Sequence, residues 1–199
     1  ARAQFRGGNT SAAISTLEAD EERTMEHTPS ALALTYLKLQ SERDDEAEQI
    51  ASRLRDLNPD DSMAHAMYGE VLAKSGDFIG ASSAYDAALA IDRNEQFTVR
   101  AYRIRNQAGL DNAVEPLVEF LAERPLNHNM RMFLANAYES LGERVNAAAQ
   151  YEEVLSTKPD NVVAINNLAW NYFVLDDPRA EETARAAYSL QPENGHVLD

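Results

Sequence analysis

The chain has 199 residues, 44% of them hydrophobic, and its 33 acidic and 18 basic residues give a formal net charge of −15. This is the composition of a folded protein rather than a disordered one, and no stretch approaches the roughly 20 apolar residues that cross a bilayer, so no direct membrane insertion is expected. The charge repels a phosphate backbone on average, so nucleic acid is not an expected partner, and the absence of cysteine excludes disulfides, thiolate metal sites and cysteine nucleophiles.

One alanine sets the frame of the chain. Ala13, Ala47, Ala81, Ala113, Ala147 and Ala180 recur in similar surroundings at steps of 34, 34, 32, 34 and 33 residues. Twelve residues after each stand Met25, Pro59, Arg93, Pro125, Pro159 and Pro192. A period in the thirties marks stacked supersecondary units, none of which can bury its apolar face alone. The units are 1–27 (partial), 28–61, 62–93, 94–127, 128–161 and 162–194, and 195–199 opens another.

In chain order, Ala1 falls inside a first helix, and "ARAQFRGGNT" lacks the apolar core of a signal peptide. "RGGN" breaks that helix. The second helix of this unit meets the acidic "EADEE" (18–22) and has Met25 where later units have proline, so it is expected to fray. "SERDDEAE" (41–48) spans the next interhelix turn; without the glycine and final glutamate of a calcium loop it reads as a solvated cap. The clearest pair follows, helices over 63–74 and 78–91. Tyr68, Gly69 and Leu72 share a face of the first, and Ala81, Tyr85, Ala88 and Leu89 a face of the second. Between them "SGD" offers a glycine to end one helix and an aspartate to cap the next.

Unit 94–127 is two residues short, a deletion placed near "DRNEQF", where Arg93 replaces proline. "QAGLD", "LGER" and "LDDP" break the later pairs. Pro59, Pro125, Pro159 and Pro192 stop the second helices, since proline lacks an amide donor and disfavours helical geometry before it. In "NPDD" and "KPDN" an acid or amide follows, ready to cap the next unit. Small residues are expected to set close helix approach within units, Gly69 on Ala81, Ala135 on Ala147 and Ala169 on Ala180.

"LANAYESLGERVNAAAQYEEVLSTKPDN" (134–161) resembles the tetratricopeptide repeat (TPR) family at its small, aromatic and proline positions, through Ala135, Ala147, Tyr151 and Pro159. The resemblance covers nearly the whole chain. It implies an all-α, right-handed superhelical solenoid of antiparallel helix pairs, about five repeats with partial repeats at the ends, as a single array over 1–199 cut from a longer protein. "NNLAW", "DPRA" and "PENGHVLD" further resemble the last repeats of bacterial exopolysaccharide and PEP-CTERM-system TPR proteins. That resemblance implies attachment to the cell envelope, with the periplasm favoured over the cytoplasm.

No catalytic constellation stands out, and no enzyme activity, cofactor or metal is expected. "RGGNTS" lacks the lysine and preceding strand of a phosphate loop. His27, His65, His128 and His196 lie in different repeats without ligand spacing; His65 reads as a half-buried packing residue. "NTS" at Asn9 is explained by the first repeat turn rather than by glycosylation. The family implies a concave groove lined by first helices, with candidate partner-binding residues Tyr36, Glu70, Tyr102, Arg105, Asn106, Asn129, Asn136, Asn166 and Trp170. Amides pair with any peptide backbone because they carry both donors and an acceptor, so Asn106, Asn136 and Asn166 are expected to contact an extended chain. The family's clamp for a C-terminal carboxylate is missing, since Leu32, Tyr36, Met63 and Met67 stand at the comparable sites. The expected partner is a protein or peptide. A structural spacer, a homo-oligomerising element and an accessory domain of a larger enzyme are the alternatives.

Overall fold

The computed structural model describes residues 10–190. The expectations at Ala1, "RGGN", Asn9, Pro192, His196 and 195–199 lie outside them. Among the described residues there are twelve helices and no strand. The chain divides into two compact units, Ala1–Ala113 and Val114–Asp199, so the repeat 94–127 gives its first helix to one and its second to the other.

The first unit contains α1 (Thr10–Glu18), α2 (Glu21–Glu26), α3 (Thr28–Gln40), α4 (Asp44–Leu57), α5 (Ser62–Ser75), α6 (Phe78–Ile91) and α7 (Glu95–Gln107). Helices α3 and α4, and α5 and α6, pack as pairs, while α4 on α5 and α6 on α7 join neighbouring repeats. The second unit contains α8 (Glu115–Glu123), α9 (His128–Ser140), α10 (Arg144–Thr157), α11 (Val162–Val174) and α12 (Ala180–Leu190). There α9 pairs with α10 and α11 with α12, and α10 packs on α11.

Helix boundaries follow local chemistry. Gly76 ends α5 at φ 90°, and the Asp77 carboxylate accepts the Gly80 amide at 2.8 Å to begin α6. Asp61 and Asn161 cap α5 and α11, accepting from Met63 and Ala164 at 2.9 and 3.1 Å. Helix α6 stops at Ile91 without proline, and the Asn94 side chain caps α7 through the Phe97 amide at 2.9 Å.

The second helix of the first repeat breaks instead of fraying. It stops at Glu18, and Asp20 caps a separate six-residue α2. Met25 lies in the core at 2% exposure, beside Leu34 and Leu54. The "SERDDEAE" turn is more than a solvated cap. It supplies Arg43 and Glu46 to an ion cluster around Lys38, a buried lysine on α3 that contacts Glu18 at 2.5 Å and Glu46 at 2.7 Å. A buried ammonium is tolerated only when paired, and here its partners fasten α1 and α4 to α3.

The two-residue shortening is shared between two places. Helix α6 ends at Ile91 and α7 begins at Glu95, one residue closer than Leu57 to Ser62 or Thr157 to Val162. The second loss lies in the first turns of α7, at the end of "DRNEQF", because Asn94 precedes Ala101 by 7 positions while Asp61 precedes Gly69 by 8, and Ala101 still precedes Ala113 by 12 as Gly69 precedes Ala81. The frame alanines Ala13, Ala47, Ala81 and Ala147 are fully buried and Ala113 is 1% exposed. Ala180 is half-buried against the core around Ala164 and Leu168.

Candidate functional site

In the first unit, the first helices α3, α5 and α7 bound a cleft of about 720 Å³. Tyr36 and Met63, 46% and 43% exposed, stand with Met67 and Phe97 on its walls. Glu70 sits among them and is fully engaged. Arg100 grips its carboxylate through Nε and Nη2, both at 2.6 Å, and the Tyr85 hydroxyl donates to the same carboxylate. Burial, then the Glu70 carboxylate, push the Tyr85 phenol above its ordinary range, and the Glu70 hydrogen bonds raise the Arg100 guanidinium. The Tyr85 ring meets Phe97 edge-on at 6.2 Å. Lys74 donates to the Leu39 carbonyl at 2.5 Å and to Asp44 at 2.7 Å.

Of the candidates in this unit, Tyr36 reaches the cleft. Glu70 does too, but its carboxylate already holds three protein donors. Tyr102 and Arg105 are corrections, because they are buried at 7% and 8% exposure. Arg105 pairs with Asp86 at 2.8 Å and donates to the Asn112 carbonyl at 3.2 Å, fastening α7 to α6 and to the turn that follows. Gln96, Phe97, Arg100 and Gln107 are the α7 residues at the cleft. At about 100° per residue, Tyr102 lies roughly 200° around the helix from Arg100. Asn106 is exposed but does not line the cleft. His65 is half-buried, with Nε2 2.8 Å from the Pro59 carbonyl oxygen.

The second unit presents an amide-rich surface on α9 and α11. Asn129 and Asn136 are exposed and Asn166 is half-exposed. The Asn136 carbonyl accepts the Tyr151 hydroxyl at 2.6 Å, and that oxygen in turn accepts the Asn167 amide at 3.2 Å. Burial raises the Tyr151 phenol above its ordinary range. Asn171, fully buried, donates to Glu139 at 2.5 Å and to the Asn167 carbonyl at 2.7 Å. Trp170 and Phe173 stack at 5.6 Å with 49% and 65% exposure, and Asn166 stands one turn before Trp170.

The two units repeat one device. Tyr85 and Tyr151 each donate to an acceptor 15 residues earlier, Glu70 or Asn136, and the link to the first helix of the next repeat runs from Arg100 to the Glu70 carboxylate in one case and from Asn167 to the Tyr151 hydroxyl in the other. Sequence reasoning missed this bridge, along with the cleft residues Gln40, Glu42, Gln96 and Gln107. A signal existed for Glu42, which stands 34 positions before Gly76, where the other turns of its unit carry glycine.

No protein-family model matches the sequence, and neither does any curated protein. Solved structures do match. YrrB, described as a TPR protein with an unusual peptide-binding site, is 16% identical over 94% of this chain and 97% of its own, with a TM-score of 0.60. The C-terminal part of a TPR repeat-containing protein from Cytophaga hutchinsonii is 18% identical over 94% of this chain and 76% of its own, at 0.68. PilW, described as a widely conserved type IV pilus biogenesis factor, is 15% identical over 98% of this chain and 92% of its own, at 0.58. The class defined by the fold is the all-α helical-repeat protein, and the chain has the tetratricopeptide repeat fold of antiparallel helix pairs.

Proposed function

We propose that the protein is a non-catalytic scaffold that holds a protein or extended peptide partner against its first helices. The observation that carries this reading is the 720 Å³ cleft between α3, α5 and α7, walled by half-exposed Met63 and Tyr36. Methionine adapts to varied apolar partners, and tyrosine supplies contact area at low entropic cost. Likeness to a fold neighbour described by its peptide-binding site supports the assignment. In the second unit Asn166 and Trp170 offer an amide beside an aromatic plane, suited to the backbone and side chain of an extended segment.

The test is selection of binding peptides from a displayed library, followed by affinity measurement on variants. Tyr36→Ala with Met63→Glu should abolish binding of cleft-selected peptides, and Asn166→Ala with Trp170→Ala should weaken binders of the second unit. Circular dichroism should stay at the wild-type level, because all four side chains are at least partly exposed. Selected peptides that bind both variants at wild-type affinity would place the site elsewhere.

The reading extends to assembly of a bacterial envelope or exopolysaccharide system. Its support is the resemblance of the 163–199 stretch and the fold likeness to a pilus biogenesis factor. Fractionation of native cells should recover the protein with the periplasm or envelope; recovery in the cytoplasm alone would overturn this part.

A further inference from the structure

Among the described residues, the turn after each first helix carries one residue in the left-handed region. Gly76, Gly109 and Gly142 hold it at φ 90°, 69° and 78°, while Glu42 and Asp176 hold it at 59° and 55°. The left-handed geometry costs a residue with a side chain roughly 1–2 kcal/mol, and glycine almost nothing. Glu42 therefore carries local strain that its fold position does not require. It also lines the cleft.

The electrostatics of the cleft single out the same residue. Arg100 is spent on Glu70, and Lys74 on Asp44. Both cations of the lining are thus held by other carboxylates, and Glu42 is left as the lining carboxylate with no cation of its own. Among the described residues no hydrogen bond or ion pair engages the Glu42 side chain, and the chain around it is strongly acidic. The cleft thus combines apolar walls, amides at Gln40, Gln96 and Gln107, and one uncommitted carboxylate.

We propose that Glu42 is a specificity residue that selects partners carrying an arginine or lysine beside apolar side chains. The inference rests on the cleft being a peptide site, as argued above. A cation from the partner pairs with the Glu42 carboxylate, and the left-handed turn is retained because glycine there would remove that carboxylate. Strain kept at a binding position is a recognised pattern when the observation of the outlier comes first.

The test uses three synthetic peptides with the same alternating leucines and with Arg, Gln or Glu at the remaining positions, followed by fluorescence anisotropy. Wild type should bind the Arg peptide about 5-fold more tightly than the Gln peptide, the scale of one partly exposed ion pair. The Glu peptide should bind most weakly. Raising the salt should erase the preference. Glu42→Gln should abolish it at an unchanged melting temperature. Glu42→Gly should abolish it while holding or raising the melting temperature, and Asp176→Gly, which relieves the same strain in the other unit, should leave it intact. Equal affinities for the Arg and Gln peptides in wild type, or a preference surviving in Glu42→Gln, would overturn the role of Glu42. Met63→Glu separates the two layers. If the Gln peptide binds wild type and is lost in that variant, the cleft reading stands whatever happens at Glu42. If no peptide binds, or Met63→Glu changes nothing, both readings fall.

Discussion

At the scale of the residue, Gly69 is where α5 and α6 approach closely. A Cβ added there would stand 2.8 Å from Tyr85 Cδ2 and 3.3 Å from the Ala81 carbonyl oxygen. Tyr85 cannot swing aside cheaply, because its ring packs on Phe97 and its hydroxyl is tied to Glu70. Gly69→Ala gains about 1 kcal/mol of helix propensity and meets an overpacking cost of about 1–3 kcal/mol. The net expectation is a loss of up to about 2 kcal/mol in chemical denaturation. A stabilised variant would mean that α5 and α6 can separate at little cost. Tyr85→Phe, by contrast, leaves the packing and removes one donor from Glu70, so it should cost less than a full side-chain deletion.

At the scale of the element, the Lys38 cluster makes the seating of α1 and α4 on α3 sensitive to acid. Hydrogen bonds from Arg43 and then Lys38 hold the Glu46 carboxyl down at about 2, and the Lys38 hydrogen bond lowers Glu18. Both groups are depressed in the folded chain, so the unfolded chain binds protons first as pH falls. Their contribution is therefore complete above the ordinary glutamate range, near pH ~4.3. It is lost as pH falls from there through about 2. The melting temperature of wild type should drop across this window, and Lys38→Met should show a shallower drop, because Glu46 then keeps only Arg43. Parallel curves for the two proteins would show that the cluster does not couple to folding. The sequence made the helices around this cluster legible and left the cluster itself hidden. Helix pairs follow from the alanine frame and the turn residues, which are local signals. Lys38 is joined to Glu18 across 20 positions, and nothing in the spacing of the chain marks that pairing. The same limit applies to the candidate site. Tyr36 and Met63 were readable as surface, whereas the burial of Tyr102 and Arg105 depends on what packs around α7, including the pairing of Arg105 with Asp86 across 19 positions. The engagement of Glu70 depends on Arg100, a partner 30 positions away.

At the scale of the whole molecule, a repeat protein is held together by nearest-neighbour contacts, so local stability follows how much each helix buries. Helix α6 buries six of its residues, including Tyr85 and Leu89, whereas α12 buries Ala187 alone. Amide hydrogen exchange followed by mass spectrometry should therefore show α12 exchanging first and α6 among the last. Equal protection across the twelve helices would mean that the chain opens only as one cooperative body.

The scarcity of lysine has a practical consequence. The chain contains Lys38, Lys74 and Lys158 and no others. Lys38 is only 3% exposed, while Lys74 lines the cleft with its side chain 38% exposed. An amine-reactive crosslinker therefore has few side chains to attack, and one of them is a built-in reporter at the cleft. A partner joined through Lys74, read out as a crosslinked peptide, would be mapped to the cleft by covalent chemistry alone, with no label introduced and no residue replaced.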